Sequence, residues 1–390
     1  MKGAMGVGMV ALGVIAACGG DAQTSGTTAA TSGTGAGAAD SVGGAGGTGA
    51  STSTTTSNGG AGGDGGGAGG GAGGSGGSGG MGPLTVAECY QGAFVNPLMG
   101  GPDYDQFMPV VGSHCLGTDH QDITNVERVV FLGDSVTVGT PPQLPAQFYR
   151  SKLADSLATK FGLQAPNLIW KSFDPFNGTA IVQESGDFAS CSKWGARTDD
   201  LLPTQLPDCF PPSSLDQRTL VVMTMGGNDI NSLAQDATDG VSSQELWTAT
   251  MDFVDLQRDA LDWLLEPGRF PNGVFVVFAN MYEFTDGTGD VQACDVSGLA
   301  GFDEPVPQPE ELKQMVVWAN EQFVKMAVDT GTDVVFLLEE FCGHGFNADD
   351  PTAPCYRGPN QATWFDLTCI HPNVAGHDHI TDMFMSVVDE

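Results

Sequence analysis

The stretch Val129-Val130-Phe131-Leu132-Gly133-Asp134-Ser135-Val136-Thr137 runs apolar for four residues and then breaks into a Gly-Asp-Ser turn. A short run that is apolar on both faces suits a strand of a parallel sheet, buried between helices. At the carboxyl edge of such a strand the backbone leaves the core for a crevice, and a small side chain there faces substrate. Ser135 is therefore the candidate nucleophile. Gly, Asp and Ser are also common turn formers, so the tripeptide carries weight only if the rest of the chain supplies a base and an oxyanion pocket.

Outward from this stretch, four more β-rich runs follow: Asn167 to Lys171, Leu220 to Met225, Val274 to Ala279, and Val334 to Leu338. Helical patterns lie between and after them, at Ala146 to Phe161, Ser243 to Leu265, Glu310 to Val328, and Val374 to Val388. Alternation of this kind predicts an α/β fold: a three-layer, doubly wound, flavodoxin-like architecture with a parallel five-stranded sheet and helices on both faces. Met281 to Pro309 and Phe341 to Trp364 fit no regular element. Both follow strands and so emerge on the carboxyl edge, where Phe346, Tyr356, Trp364 and Phe365 either line a site or pack the loops onto the core.

Three segments bear on Ser135. The Leu220 strand ends in Gly226-Gly227-Asn228-Asp229, a turn that offers an amide side chain at the same sheet edge. Gly195, in Trp194-Gly195-Ala196-Arg197, precedes Asp199-Asp200-Leu201-Leu202 at an expected helix start, with its N–H pointing outward. His371, in Ile370-His371-Pro372-Asn373, precedes the last helix on a loop. Gly133-Asp134-Ser135, Gly195, Gly226-x-Asn228-Asp229 and His371-Pro372, in that order, resemble the four blocks of the SGNH hydrolases, also called the GDSL esterase and lipase family.

The resemblance covers Arg128 to Glu390 and implies roles residue by residue. Ser135 is the nucleophile and His371 its general base, while the Ser135 and Gly195 N–H groups and the Asn228 amide form an oxyanion hole. The chain departs from the family at the third triad member. An acid commonly lies three residues before the histidine, but Thr368 stands there, and Asp366 lies five before. Either the loop bulges, with a disulfide at Cys369, so that Asp366 reaches His371, or a backbone carbonyl orients the ring. Asp366 is the favoured third member. Asp134 and Asp229 are read as braces of their turns, and Arg197 as a surface ion-pair partner. His377 and His379, two residues apart on a helix, do not share a face. His114 and His120 precede the sheet, and His344 stands in a Cys-Gly-His-Gly loop. No metal or cofactor is called for.

The N-terminus reads as a lipoprotein signal over residues 1–18. Lys2 and a short apolar run end in Ile15-Ala16-Ala17-Cys18, which resembles a bacterial lipobox with Cys18 as the lipid attachment site. Residues 19–82 are dominated by Gly, Ser, Thr and Ala, lack any aromatic side chain, and carry charge only at Asp21, Asp40 and Asp64. Such a tract cannot bury a core. It is read as a disordered tether with a root-mean-square reach of roughly 45 Å. An N-terminal cap with two cysteines is assigned to 83–127, and the hydrolase domain to 128–390.

The net charge of −33 makes nucleic acid and anionic lipid headgroups poor partners for the domain itself. Besides Cys18, eight cysteines remain, an even number that favours disulfides in an exported chain, with Cys191–Cys209 a candidate pair. The resulting expectation is an exported, membrane-anchored, monomeric serine hydrolase of carboxylic esters. Its alternatives are a deacetylase of acetylated polysaccharide on the same fold and a catalytically silent binding module.

Overall fold

The computed structural model describes residues 84–96 and 101–390. The expected signal segment, Cys18 and the expected tether lie outside the described residues. The central sheet has six strands: β1 (Arg128–Gly133), β2 (Glu184–Ser185), β3 (Phe188–Ser190), β4 (Thr219–Thr224), β5 (Val274–Ala279) and β6 (Asp333–Val335). Their spatial order is β2-β3-β1-β4-β5-β6. Strands β3, β1, β4, β5 and β6 are parallel, and β2 joins β3 antiparallel at one edge.

Five main helices cover the sheet: α1 (Tyr149–Phe161), α2 (Gly227–Thr238), α3 (Ser243–Leu264), α4 (Pro309–Thr330) and α5 (Val374–Asp389). Because side chains alternate along a strand, β1 sends Val130 and Leu132 to one face and Val129 and Phe131 to the other. The first pair joins Phe253 and Leu261 of α3 and Met315 and Phe323 of α4. The second pair packs with Leu153 and Leu157 of α1 and Ile380 and Phe384 of α5. Both faces are dry, which is why β1 and β4 are buried at every position.

The doubly wound architecture is as expected, with three corrections. The sheet has six strands rather than five, since the two-residue β2 is too short to leave a pattern. Asn167 to Lys171 is not a strand: Leu168–Lys171 is one helical turn, because the Asn167 carboxamide oxygen accepts the N–H groups of Ile169 and Trp170. Leu168 and Ile169 are exposed there, which a central strand would not allow. The neighbour of β1 is instead the three-residue β3. The run Val334 to Leu338 divides, ending as strand at Val335 and turning into a helical segment at Leu337–Phe341.

Among the described residues four disulfides are formed: Cys89–Cys115, Cys191–Cys209, Cys294–Cys369 and Cys342–Cys355. The first closes the segment before β1. That segment covers the exposed edge of β6 through a Gly117–Val335 bridge and a Phe336 N–H bond to the Leu116 carbonyl. The third joins the loop after β5 to the loop that carries His371.

Candidate active site

Ser135 opens a one-turn helix, Ser135–Val138, directly after β1. Asp134 caps it, with Oδ1 accepting the Val136 N–H at 2.9 Å. The turn requires glycine at 133, where φ is +135° and a Cβ would lie 2.2 Å from the Thr224 carbonyl oxygen. Gln205 holds Gly133 on both sides, accepting its N–H at 2.8 Å and donating to its carbonyl at 2.9 Å. Beneath Ser135, the Thr137 hydroxyl bonds Tyr149 Oη at 2.5 Å and Thr224 Oγ1 at 2.6 Å. The nucleophile candidate therefore stands on a saturated polar network anchored in β1 and β4. Burial drives the Asp134 carboxyl up to about 7 against the bonds it accepts.

His371 Nε2 lies 2.9 Å from Ser135 Oγ, with both residues buried. This is the contact through which an imidazole takes a serine proton. Burial lowers the His371 pKa to about 4, so the ring is an unprotonated base through the neutral range.

Asn228 stands in the first turn of α2, where Gly226-Gly227-Asn228-Asp229 predicts only a turn. Its approach to the site depends on Gly226, where φ is +105° and a Cβ would meet Met281 Sδ at 2.4 Å. Asn228 Nδ2 donates to the Ala196 carbonyl at 2.9 Å, and Asp229 accepts from Thr198 N–H and Oγ1 at 3.2 and 3.0 Å. The amide nitrogen has a second hydrogen for another acceptor. Gly195 is half-buried with φ +73°, and regular helical turns begin only at Thr198. Its segment runs beside the nucleophile turn through a Lys193 N–H bond to the Gly133 carbonyl. Asn228 lines the cavity described below; Gly195 does not.

The Asp366 carboxylate makes no hydrogen bond to the His371 ring. Its Oδ1 accepts Thr368 Oγ1 at 2.5 Å and Thr368 N–H at 2.7 Å, and Thr368 Oγ1 in turn lies 2.7 Å from His371 Nδ1. The ring is met by neither of the two expected partners but by the side chain of the residue three before it.

A cavity of about 190 Å³ opens at Ser135, Asn228 and His371. Its walls are mainly apolar: Met225 after β4, Ile230 and Ala234 on α2, Met281 and Phe284 after β5, and Leu312 and Val316 on α4. Three of the four loop aromatics named in the sequence, Phe346, Trp364 and Phe365, take the other course open to them. Phe346 and Phe365 pack together, and Trp364 stacks on His344 at 3.7 Å between ring centroids. His344 is thereby spent in the loop, its Nδ1 bonded to the Ala362 carbonyl. What the sequence did not single out is the wall itself, whose residues belong to three elements far apart in the chain.

The sequence model of the GDSL-like Lipase/Acylhydrolase family matches residues 131–379, a span that contains Ser135, Gly195, Asn228, Asp366 and His371. The chain belongs to this family. As a GDSL-family member it is a hydrolase of the esterase or lipase type. Among solved structures it is similar to a gut microbial diltiazem-metabolizing enzyme at 14% identity and a TM-score of 0.43, over 69% of this chain and 49% of that one. The GDSL-family chain thus spans about half the length of that enzyme. It is also similar to a lipase from a goat rumen metagenome (12% identity, TM-score 0.42, 67% and 96% covered). A third is the lipase/acylhydrolase from Enterococcus faecalis (13% identity, TM-score 0.37, 66% and 93% covered). Among curated proteins no sequence matches.

Proposed function

We propose that this GDSL-family hydrolase cleaves carboxylic esters of apolar acyl groups through an acyl-serine intermediate. The observation that carries the reading is the Ser135 Oγ–His371 Nε2 contact of 2.9 Å in the lining of a mainly apolar cavity. His371 takes the Ser135 proton as Oγ attacks the ester carbonyl, then returns it to the departing alcohol. The Ser135 N–H, first in its helix and without an intrahelical acceptor, and the second Asn228 amide hydrogen are the donors for the oxyanion; Gly195 N–H is the third. Water, activated by the same imidazole, releases the acid.

An acetyl group would leave most of the cavity unfilled, which favours longer acyl chains over an acetylated polysaccharide. Each methylene that enters is worth about 0.8 kcal/mol, roughly fourfold in kcat/KM. In a p-nitrophenyl ester series the expected optimum is therefore a medium chain, with kcat/KM rising from acetate. A series in which acetate is the best substrate overturns the acyl-chain reading. A folded protein whose Ser135 resists a fluorophosphonate probe overturns the hydrolytic one in favour of a silent binding module.

We also propose that the enzyme works outside the cytoplasm, attached through Cys18. Four disulfides suit an oxidising compartment. Metabolic labelling with an alkyne fatty acid that survives Cys18→Ala would remove the anchor.

A further inference from the structure

The turn from Phe365 to Pro372 is closed at its neck by a bridge between those two residues and by an Asp366 N–H bond to the His371 carbonyl at 2.9 Å. Inside it the Cys369 N–H bonds the Asp366 carbonyl at 3.1 Å, and Cys369 adopts φ +71° while disulfide-bonded to Cys294. Leu367, the one residue between Asp366 and the usual acid position, is exposed and loops outward. The Thr368 side chain then points back under the imidazole. At Nδ1 the described hydrogen bonds place Thr368 Oγ1 and no backbone carbonyl.

We propose that the Thr368 hydroxyl is the positioning group of His371, taking the place of the triad carboxylate, and that Asp366 acts on the imidazole only through it. This rests on the ester-hydrolase reading of Ser135 and His371. Proton counting gives the consequence. A hydroxyl has one hydrogen, and an ionised carboxylate can only accept. With Asp366 ionised, the Thr368 hydrogen is committed to Oδ1, so Oγ1 presents a lone pair to Nδ1. The ring must then carry its hydrogen on Nδ1, leaving the Nε2 lone pair aimed at the Ser135 hydroxyl. That is the tautomer a general base requires. When His371 takes the serine proton, its Nδ1–H still donates to Thr368, and the carboxylate stabilises the imidazolium from one hydroxyl away.

Asp366 is itself held from its other side. With the Gln143 amide nitrogen assigned to the face that meets acceptors, it lies 3.2 Å from Asp366 Oδ2. Asp366, Thr368, His371 and Ser135 form one continuous chain of hydrogen bonds.

Thr368→Val keeps the shape and removes the hydroxyl. The expected result is a fall in kcat of about 10²-fold with KM changed less than about threefold, the lower end of what acid–base groups contribute. Thr368→Ser restores kcat to within about threefold. Asp366→Asn costs less, about tenfold, because an amide oxygen still accepts the hydroxyl proton. An unimpaired Thr368→Val enzyme, or an Asp366→Asn loss near 10⁴-fold that exceeds the Thr368→Val loss, overturns the proposal by putting the carboxylate directly on the ring. The unmodified protein supplies an independent measurement, since 15N spectra of labelled His371 should show Nδ1 protonated and Nε2 not; the reverse tautomer overturns it as well. Fluorophosphonate labelling of the unmodified enzyme separates the two levels: labelling together with a normal Thr368→Val enzyme defeats this inference alone, whereas absence of labelling defeats the hydrolase reading beneath it.

Discussion

Ser135 and His371 meet at 2.9 Å, yet they are held there by different means. Ser135 sits at the end of β1, in a parallel ladder with β3 and β4, over a buried polar network of Gln205, Thr137, Thr224 and Tyr149. Its position is a consequence of the sheet. His371 sits on a loop whose shape comes from a short-range Asp366–Thr368 turn and from a disulfide to Cys294, 75 residues away in sequence. Ser135 can therefore be displaced only by disturbing the core, whereas the place of His371 depends in addition on one covalent link. The comparison also explains why the departure from the family pattern falls on the histidine side. A cross-linked loop accepts an outward Leu367, an irregularity that a sheet-anchored turn could not.

The most severe break of this arrangement leaves both supports standing. Ser135→Ala should lower kcat by about 10⁶-fold with an unchanged thermal transition, since it removes only the hydroxyl; more than one per cent residual turnover would show that another group attacks. Asn228→Ala comes next, at about 10²- to 10³-fold in kcat, and near-normal turnover would remove the amide from the oxyanion hole.

Two of the disulfides give the direct contrast. Replacing the Cys294–Cys369 pair with alanines should cost about 4 kcal/mol of stability and, where the protein is still folded, lower kcat about tenfold as the His371 loop loosens. Replacing Cys191–Cys209, which braces the chain just beyond β3, should cost about 3 kcal/mol and leave kcat unchanged. Equal effects of the two replacements on kcat would erase the distinction drawn between the supports. The mildest expectation concerns pH. Only the neutral imidazole accepts a proton, and with the His371 pKa lowered to about 4 the base form persists as pH falls to that value. The acid limb of kcat/KM is thus expected near pH 4, and a limb at the ordinary histidine value would mean that water reaches the ring.

The parallel strands β1, β4 and β5 were legible as continuous apolar runs because both faces of each are dry. The four blocks around Ser135, Gly195, Asn228 and His371 were legible because each ends a strand or precedes a helix. Three kinds of information were not. The strand β3 is three residues long and wins its place by pairing with β1, whereas Asn167 to Lys171 looked better as a strand and lost to a side-chain cap. Helix α2 carries its apolar face on only four residues, Ile230, Leu233, Ala234 and Ala237, and the Gly-Gly-Asn-Asp stretch at its start reads as a turn. The cavity wall draws on Met225, Met281, Phe284 and Leu312, which read along the chain as ordinary core residues.

By itself the sequence determined the class of fold and the order of the four blocks, because burial on two faces and tight strand-end turns impose residue types that can be read locally. Only the tertiary structure decided the disulfide pairing, the residues of the cavity and the partner of the His371 imidazole. Each of these is a contact between groups whose separation in space is set by the folding of intervening loops. Thr368 shows this most clearly. In sequence it occupies the position of a missing acid, and in the folded turn its hydroxyl stands between Asp366 and His371.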